Sequence, residues 1–370
     1  MAANVPMGMR SLVALKYCLP TKWEVVDVPV PKIKGPKDVL VKMHAAGIST
    51  GDTQIARGGT RFLIDGLKFP HKIGVEGAGV VVQVASKSSP FQPGDEVYAF
   101  AMSRPMDVTA PHGFCSEYAV VNEDLMLRKP ANCSFEDLCN LASTVTAYQA
   151  IEQALEKMRE NGTADGLAGK TVFVPAALSA TGSVAIQLLK NVYGVGRLLS
   201  TVSTPKVPLV EQLLPGLVDQ VVDYTKMSKL TDAIPKGTVD LVYNTIFGVR
   251  STFALAKPET GVVASIASVP DPALLRKMLP PLPWYAYVFA ALAQWRYAWA
   301  LRGTKVRHFM HSGQPSVRAD LERAGEFMAA GKVKSVVRVV RLEDIEEVRR
   351  EAMKVATGKG GVGKLVIKIV

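Results

Sequence analysis

The chain has 370 residues, 48% of them hydrophobic, and 44 lysines and arginines against 33 acids give a net charge of +11. This length and apolar content suffice for about two cored domains and exclude a disordered chain. The basic residues are dispersed, and over residues 332–341, KVKSVVRVVR, they interleave with valines as on the wet face of a half-buried strand. No basic run with stacking aromatics occurs, so nucleic acid is excluded as a partner and the charge favours anionic cofactors and substrates. The opening MAANVPMGMR lacks a hydrophobic core behind a basic start, so no secretory signal is expected. Cys18, Cys115, Cys133 and Cys139 are scattered with no CxxC pair, which argues for a reducing compartment, the cytoplasm by default, and against a structural zinc lobe.

Residues 11–47 read as short strands and turns, with LVALKY, WEVVDVPVP and DVLVKMHAAGI separated by proline, glycine and lysine. A further strand, VEGAGVVVQV at 75–84, is followed by the turn FQPGDEV and by FCSEYAVV at 114–121. At residue 135 the character changes to helix, with Ser134 as N-cap ahead of FEDLCNLASTVTAYQAIEQALEKM. The runs FVPA, LLSTV, DQVVDY, DLVYNT and VVASIAS then alternate with helices to about residue 312, a parallel doubly wound pattern. Helices over 317–330 and 342–356 and strands over 336–340 and 365–370 close the chain. The expected fold is α/β. A Rossmann doubly wound domain over 140–312 is inserted between two pieces of a β-rich domain, 1–139 and 313–370.

Residues 169–190, GKTVFVPAALSATGSVAIQLLK, read as strand, tight turn and helix, the order of a dinucleotide-binding crossover, although only Gly182 survives of the usual glycines in the turn. The residues that would meet the pyrophosphate are Ser179, Ala180, Thr181, Gly182 and Ser183 at the helix start. The next apolar run ends in Ser203, Thr204, Pro205 and Lys206, where an acid would normally hold the ribose 2′-hydroxyl of NAD. A hydroxyl and a lysine suit a 2′-phosphate instead, so NADPH is favoured over NADH; the plainer reading is a solvated loop. Tyr224, closing DQVVDY, joins the same cofactor set.

The motifs at 37–48, at 74–81 (GVEGAGVV), at 93–100 (PGDEVYAF), at 113–121 (GFCSEYAVV) and at 143–151 (STVTAYQAI), with the terminal GKGGVGKLVIKIV, resemble the medium-chain dehydrogenase/reductase superfamily, nearest its zinc-independent quinone-reductase and enoyl-reductase branch. The resemblance spans nearly the whole chain. It implies a GroES-like β domain with a cleft facing the Rossmann domain, NADPH in that cleft, and in many members a homodimer. Zinc-dependent relatives carry a cysteine after AAGI and a histidine before the glutamate of the next motif, where this chain has Ser49 and Val75, so no metal site is expected. His308 with His311, or His112 with Cys115, would each lack a third ligand, and these read more simply as surface histidines.

The implied activity is hydride addition by NADPH to an α,β-unsaturated carbonyl or quinone, with secondary metabolism as a setting and a small lipophilic molecule as substrate. Ser49, Thr50 and Tyr148 are the candidate donors to the enolate oxygen, and Asp52 is a positioning or relay group. Against these stand a packed aromatic for Tyr148 and a helix cap for Asp52. Quinone-type relatives have an asparagine at Ser49 and a tyrosine near Thr60 to Phe62, and an aspartate and glycine near Asn244 and Phe247, beside which the nicotinamide would lie. Methyls at Ala177 and Ala180 crowd a dinucleotide unless the backbone has φ below zero there, and the ring of Phe247 would fill nicotinamide space, which supports a rival: a redox-inactive member catalysing a cyclisation or isomerisation. GKGGVGK at 358–364 resembles a P-loop but has Leu365 where a Ser or Thr is needed, and it reads as a hairpin-like turn. The apolar stretch near 279–301 is too short an uncharged core to span a bilayer. It reads as a helix lining a substrate cleft or a dimer interface, with a peripheral membrane contact as the further alternative.

Overall fold

In the computed structural model, residues 5–59, 61, 66–102, 113–163, 166–279 and 281–370 are described. Thr60, Phe62 and His112 lie outside them.

Strands come first: β1 (Gly8–Ala14), β2 (Glu24–Pro29) and β3 (Asp38–Ile48) precede a short helix α1 (Thr50–Ala56), then β4 (His71–Lys72), β5 (Glu76–Val84), β6 (Glu96–Phe100), β7 (Tyr118–Asn122) and β8 (Met126–Arg128). The helix α2 (Leu141–Glu160) leads into β9 (Thr171–Val174), α3 (Ala180–Asn191), β10 (Arg197–Val202), α4 (Val207–Leu213), β11 (Gln220–Asp223), β12 (Leu241–Asn244), α5 (Arg250–Phe253), β13 (Val262–Ser265), α6 (Pro272–Met278), α7 (Trp284–Ala300) and β14 (Arg307–Met310). The chain ends in α8 (Arg318–Ala329), β15 (Val337–Arg341), α9 (Ile345–Thr357) and β16 (Lys364–Lys368).

These elements form two compact units, one of residues 1–142, 314–330 and 335–370, the other of 143–313 and 331–334. In the first, a seven-stranded sheet runs β15-β16-β3-β5-β6-β8 with β7 against β3, beside a three-stranded sheet β2-β1-β4. Pairing is antiparallel throughout except between β15 and β16. Its core joins the inward faces of β3, β5 and β16 with Trp23, Phe114 and Val348 from surrounding segments. Strand β7 alternates buried with partly exposed residues, whereas β3, β5 and β16 are buried along most of their length.

The second unit is a six-stranded parallel sheet in the order β11-β10-β9-β12-β13-β14, doubly wound with the reversal between β9 and β12. Its central strands are buried on both faces, which is why 241–244 and 262–265 read as unbroken apolar runs ending in a polar residue. Ligands of such sheets bind outside the carboxyl ends of the strands at the reversal.

Two local expectations are corrected. The helix expected from residue 135 begins at Leu141; Ser134 and Asp137 instead close a single turn, the Asp137 amide donating to Ser134 Oγ (3.1 Å) and that hydroxyl to Asp137 Oδ2 (2.7 Å). The GKGGVGK segment is no hairpin, because β16 lies parallel to β15 with α9 between them; Gly358 ends α9 in the left-handed region (φ 67°).

Candidate functional site

The first unit holds a buried polar centre around the AAGIST and GVEG motifs. Ser49 caps α1, and the carboxylate of Asp52 three residues on takes both its amide and its hydroxyl on Oδ2 at 2.7 Å. The other oxygen, Oδ1, accepts the Gly74 amide at 3.0 Å. Asp52 is 3% exposed, so its acceptor sites are committed to tying α1 to the strand that opens at Glu76. Glu76 is fully buried, and its carboxylate accepts the Ala142 amide at the start of α2 (2.8 Å) and pairs with the ammonium of Lys364. Gly47 permits this approach: a Cβ there would stand 2.5 Å from the Cys139 carbonyl and 2.7 Å from the Lys364 side chain. The neighbouring Cys115 and Cys139 thiols are driven well above their usual range, first by burial and then by the Asp52 and Glu76 carboxylates respectively. Among the described residues no three His, Cys, Asp or Glu side chains converge as a metal site would require, and the counter-ion of Glu76 is a lysine.

The second unit carries the crossover turn. Ala176 adopts φ 58°, the one positive φ at a non-glycine position among the described residues. Strand β10 holds it there, Thr201 accepting the Ala176 amide on Oγ1 and the Ala177 amide on its carbonyl, each at 3.1 Å. Ser179 is the N-cap of α3, its hydroxyl accepting the Gly182 amide at 3.0 Å, and Ser183 spends its own hydroxyl on the Ala180 carbonyl at 3.1 Å. The amides of Ala180 and Thr181 precede the helical ladder and are the turn's groups for an anion. Gly182 is required by packing: a Cβ there would lie 2.4 Å from the Ala176 carbonyl oxygen and 2.6 Å from Ser179 Oγ. The methyl of Ala177 is buried and Ala180 sits in the first turn of α3, so the conformational strain falls on Ala176 instead.

At the carboxyl ends of β10 and β11 the structure assembles a polar cluster, since the parallel register sets Val202 beside Asp223. Ser203 precedes a single 3₁₀ turn over Thr204–Lys206, its carbonyl accepting the Lys206 amide at 2.8 Å. Thr204 Oγ1 lies 2.6 Å from Asp223 Oδ2 and 2.7 Å from Thr225 Oγ1, and Thr225 donates to Asp223 Oδ1 at 2.6 Å. These hydroxyls hold the Asp223 carboxyl below the usual range, Thr204 most strongly, with a smaller contribution from Lys226 at 3.7 Å. Asp223, Thr225 and Lys226 carry no motif; the signal that could have found them is that the ends of adjacent parallel strands share one rim. Tyr224 is 52% exposed on the same rim.

Asn244 ends β12 fully buried, its Nδ2 donating to the Ile246 carbonyl (2.7 Å) and to Ser265 Oγ (3.0 Å), while Oδ1 has no partner among the described residues. Phe247 follows with 74% of its surface in solvent. Tyr148 is half-buried on α2. His308 and His311 are not surface histidines: His311 is 9% exposed against Gln149 and Gln153, and His308 packs on Phe253 and Tyr297 with its imidazole pushed down by burial to about 4.

Two family models match, an alcohol dehydrogenase GroES-like domain over residues 35–131 and a zinc-binding dehydrogenase domain over 218–367. A chloroplastic quinone-oxidoreductase homolog of Spinacia oleracea is 30% identical over 66% of this chain and 70% of its own. The chain belongs to the medium-chain dehydrogenase/reductase superfamily. A chloroplastic NADPH-dependent alkenal/one oxidoreductase of Arabidopsis thaliana is 32% identical over 73% of the chain and 66% of its own. The chain spans 59% to 70% of the length of the curated relatives that it matches first. Among solved structures, the quinone oxidoreductase of Coxiella burnetii superposes with a TM-score of 0.74 over 98% of this chain and all of its own, at 21% identity. As a superfamily member the chain pairs a GroES-like antiparallel unit with a Rossmann unit, the two folds described above.

Proposed function

We propose that this protein is an NADPH-dependent reductase that adds hydride to a carbon–carbon double bond conjugated to a carbonyl, or to a quinone. The observation that carries the reading is the rim of the parallel sheet. Ser203 and Lys206 stand where an NAD-binding crossover places an acid, and the nearby acid, Asp223, has both oxygens occupied by threonine hydroxyls. The named activities of the Arabidopsis and spinach relatives support the same class.

The residues present fit the cofactor. The Ala180 and Thr181 amides would take the pyrophosphate, Ser179, Gly182 and Ser183 hold the turn that presents them, and Ser203 and Lys206 would take the 2′-phosphate, with Tyr224 beside the adenosine end and Asn244 beside the nicotinamide. When bound, NADPH supplies the hydride. The chain's own contribution is to hold the acceptor's oxygen while charge develops on it. The Tyr148 hydroxyl, half-buried on α2, is the candidate for that hydrogen bond. Ser49 has its hydroxyl proton engaged by Asp52, so Asp52 acts as the group that positions Ser49. No observation favours the redox-inactive rival: Ala177 is turned into the core, Ala180 is helical and Phe247 stands in solvent.

The test is consumption of NADPH by the purified chain with an alkyl vinyl ketone, a 2-alkenal or a quinone. The reading requires acceptor-dependent oxidation with a strong preference for NADPH over NADH, lowered in Tyr148→Phe. A folded protein that oxidises neither cofactor with any of the three acceptors would refute it.

A further inference from the structure

We propose that α7 is a docking helix that lays this protein on the interface of an anionic lipid bilayer. The helix has 17 residues, and its two faces differ sharply. One face is fixed to its own unit: Ala290 and Ala286 are buried, Gln294 donates to the Val269 carbonyl at 2.7 Å, and Tyr297 packs edge-on against Phe253 and His308. The other carries Trp284 (75% exposed), Phe289 (65%), Leu292 (56%), Trp295 (65%) and Trp299 (51%) into solvent. Small alanines on the inner face and large aromatics on the outer invert the usual arrangement of a surface helix, whose apolar stripe faces its core. Exposed apolar patches of this kind mark an interaction surface.

Charge identifies the occupant. From Pro272 through Val317 the sequence contains no Asp or Glu, while Arg276, Lys277, Arg296, Arg302, Lys305 and Arg307 are all present and exposed. Lys305 and Arg307 are paired with Glu259 and Glu160. Arg276 and Arg302 lie over the rings of Tyr287 and Trp299, and no carboxylate of the described residues forms an ion pair with these two, Lys277 or Arg296. A second copy seated on this face would set basic against basic with no acid on the helix to offset it. A bilayer interface bearing anionic headgroups complements both features: indole and phenyl rings at headgroup depth, arginines and a lysine at the phosphates. No helix of the described residues is long and apolar enough to cross a membrane, so the contact lies in the interface plane.

The test is co-sedimentation of the full chain with vesicles of phosphatidylcholine alone and of phosphatidylcholine mixed with phosphatidylserine, with sedimentation velocity run in parallel without lipid. The account expects binding to the phosphatidylserine vesicles only, weakened by salt and accompanied by a blue shift of tryptophan fluorescence. Phe289→Ser/Trp295→Ser should abolish it, and Arg296→Glu/Arg302→Glu should weaken it about tenfold or more. Both variants alter exposed side chains, and an unchanged melting temperature shows that they fold. Absence of binding to either vesicle, binding insensitive to both variants, or a lipid-free dimer that Phe289→Ser/Trp295→Ser dissolves would each overturn it, the last in favour of a second copy. None of these outcomes depends on the proposed reductase activity.

Discussion

The polar centre of the antiparallel unit and the carboxyl rim of the parallel sheet are both built from short motifs at the ends of strands, yet they dispose of their polar groups in opposite ways. Around Asp52 and Glu76 the carboxylate oxygens point inward, to Ser49, Gly74, Ala142 and Lys364, and all three acidic and basic side chains are almost wholly buried. Around Ala180, Ser203 and Lys206 the groups sit at a helix start and a strand end, half-buried or exposed. The lesson is that motif residues with the right chemistry can be consumed by the fold, as Asp52 and Glu76 are in the interior, whereas the groups of the rim stay within reach of solvent.

That contrast can be broken by mutation. The largest effect is expected for Glu76→Gln, which leaves the Lys364 ammonium buried without its counter-ion and should cost about 3–5 kcal/mol in urea unfolding. Glu76→Gln/Lys364→Met should recover much of this loss, and full additivity of the two changes would argue against a buried pair. On the other side, Gly182→Ala should destabilise by about 2–3 kcal/mol because its methyl meets the Ala176 carbonyl. Helix propensity alone favours alanine by about 1 kcal/mol, so the sign of the measured change decides between packing and propensity.

His308 gives a pH signature. Burial lowers its folded pKa to about 4 from an ordinary 6.5, so between those values the unfolded chain binds the extra proton. Stability should therefore be full above 6.5 and fall as pH drops towards 4, by about 3 kcal/mol at this site, and His308→Gln should remove that share of the slope. A slope unchanged in His308→Gln would show that other groups carry it. The smallest effect is at the rim: Lys206→Ala should weaken NADPH about tenfold while leaving NADH nearly unchanged. Equal losses for both would remove the 2′-phosphate assignment.

The parallel unit was legible because its strands are short apolar runs ended by polar residues, a pattern that follows from burial on both faces. Local signals misled where a distant residue decided the outcome. The start of α2 lies at Leu141, where Glu76 takes the Ala142 amide from 66 residues away, and no local pattern near Ser134 reports that. Lys364 read as part of a failed phosphate loop, and its partner is 288 residues distant. In the crossover turn the crowding expected at Ala177 and Ala180 became strain at Ala176, because the Thr201 bonds that set the turn come from the next strand. Asp223 was legible as a strand residue and became part of the candidate site only through its register beside Val202.

The most direct measurement of the central claim is NADPH binding to the purified, folded chain, followed by nicotinamide fluorescence and thermal unfolding together. The account predicts enhanced, blue-shifted emission and a melting temperature raised by a few degrees at saturating NADPH. Neither change at saturating NADPH would contradict it.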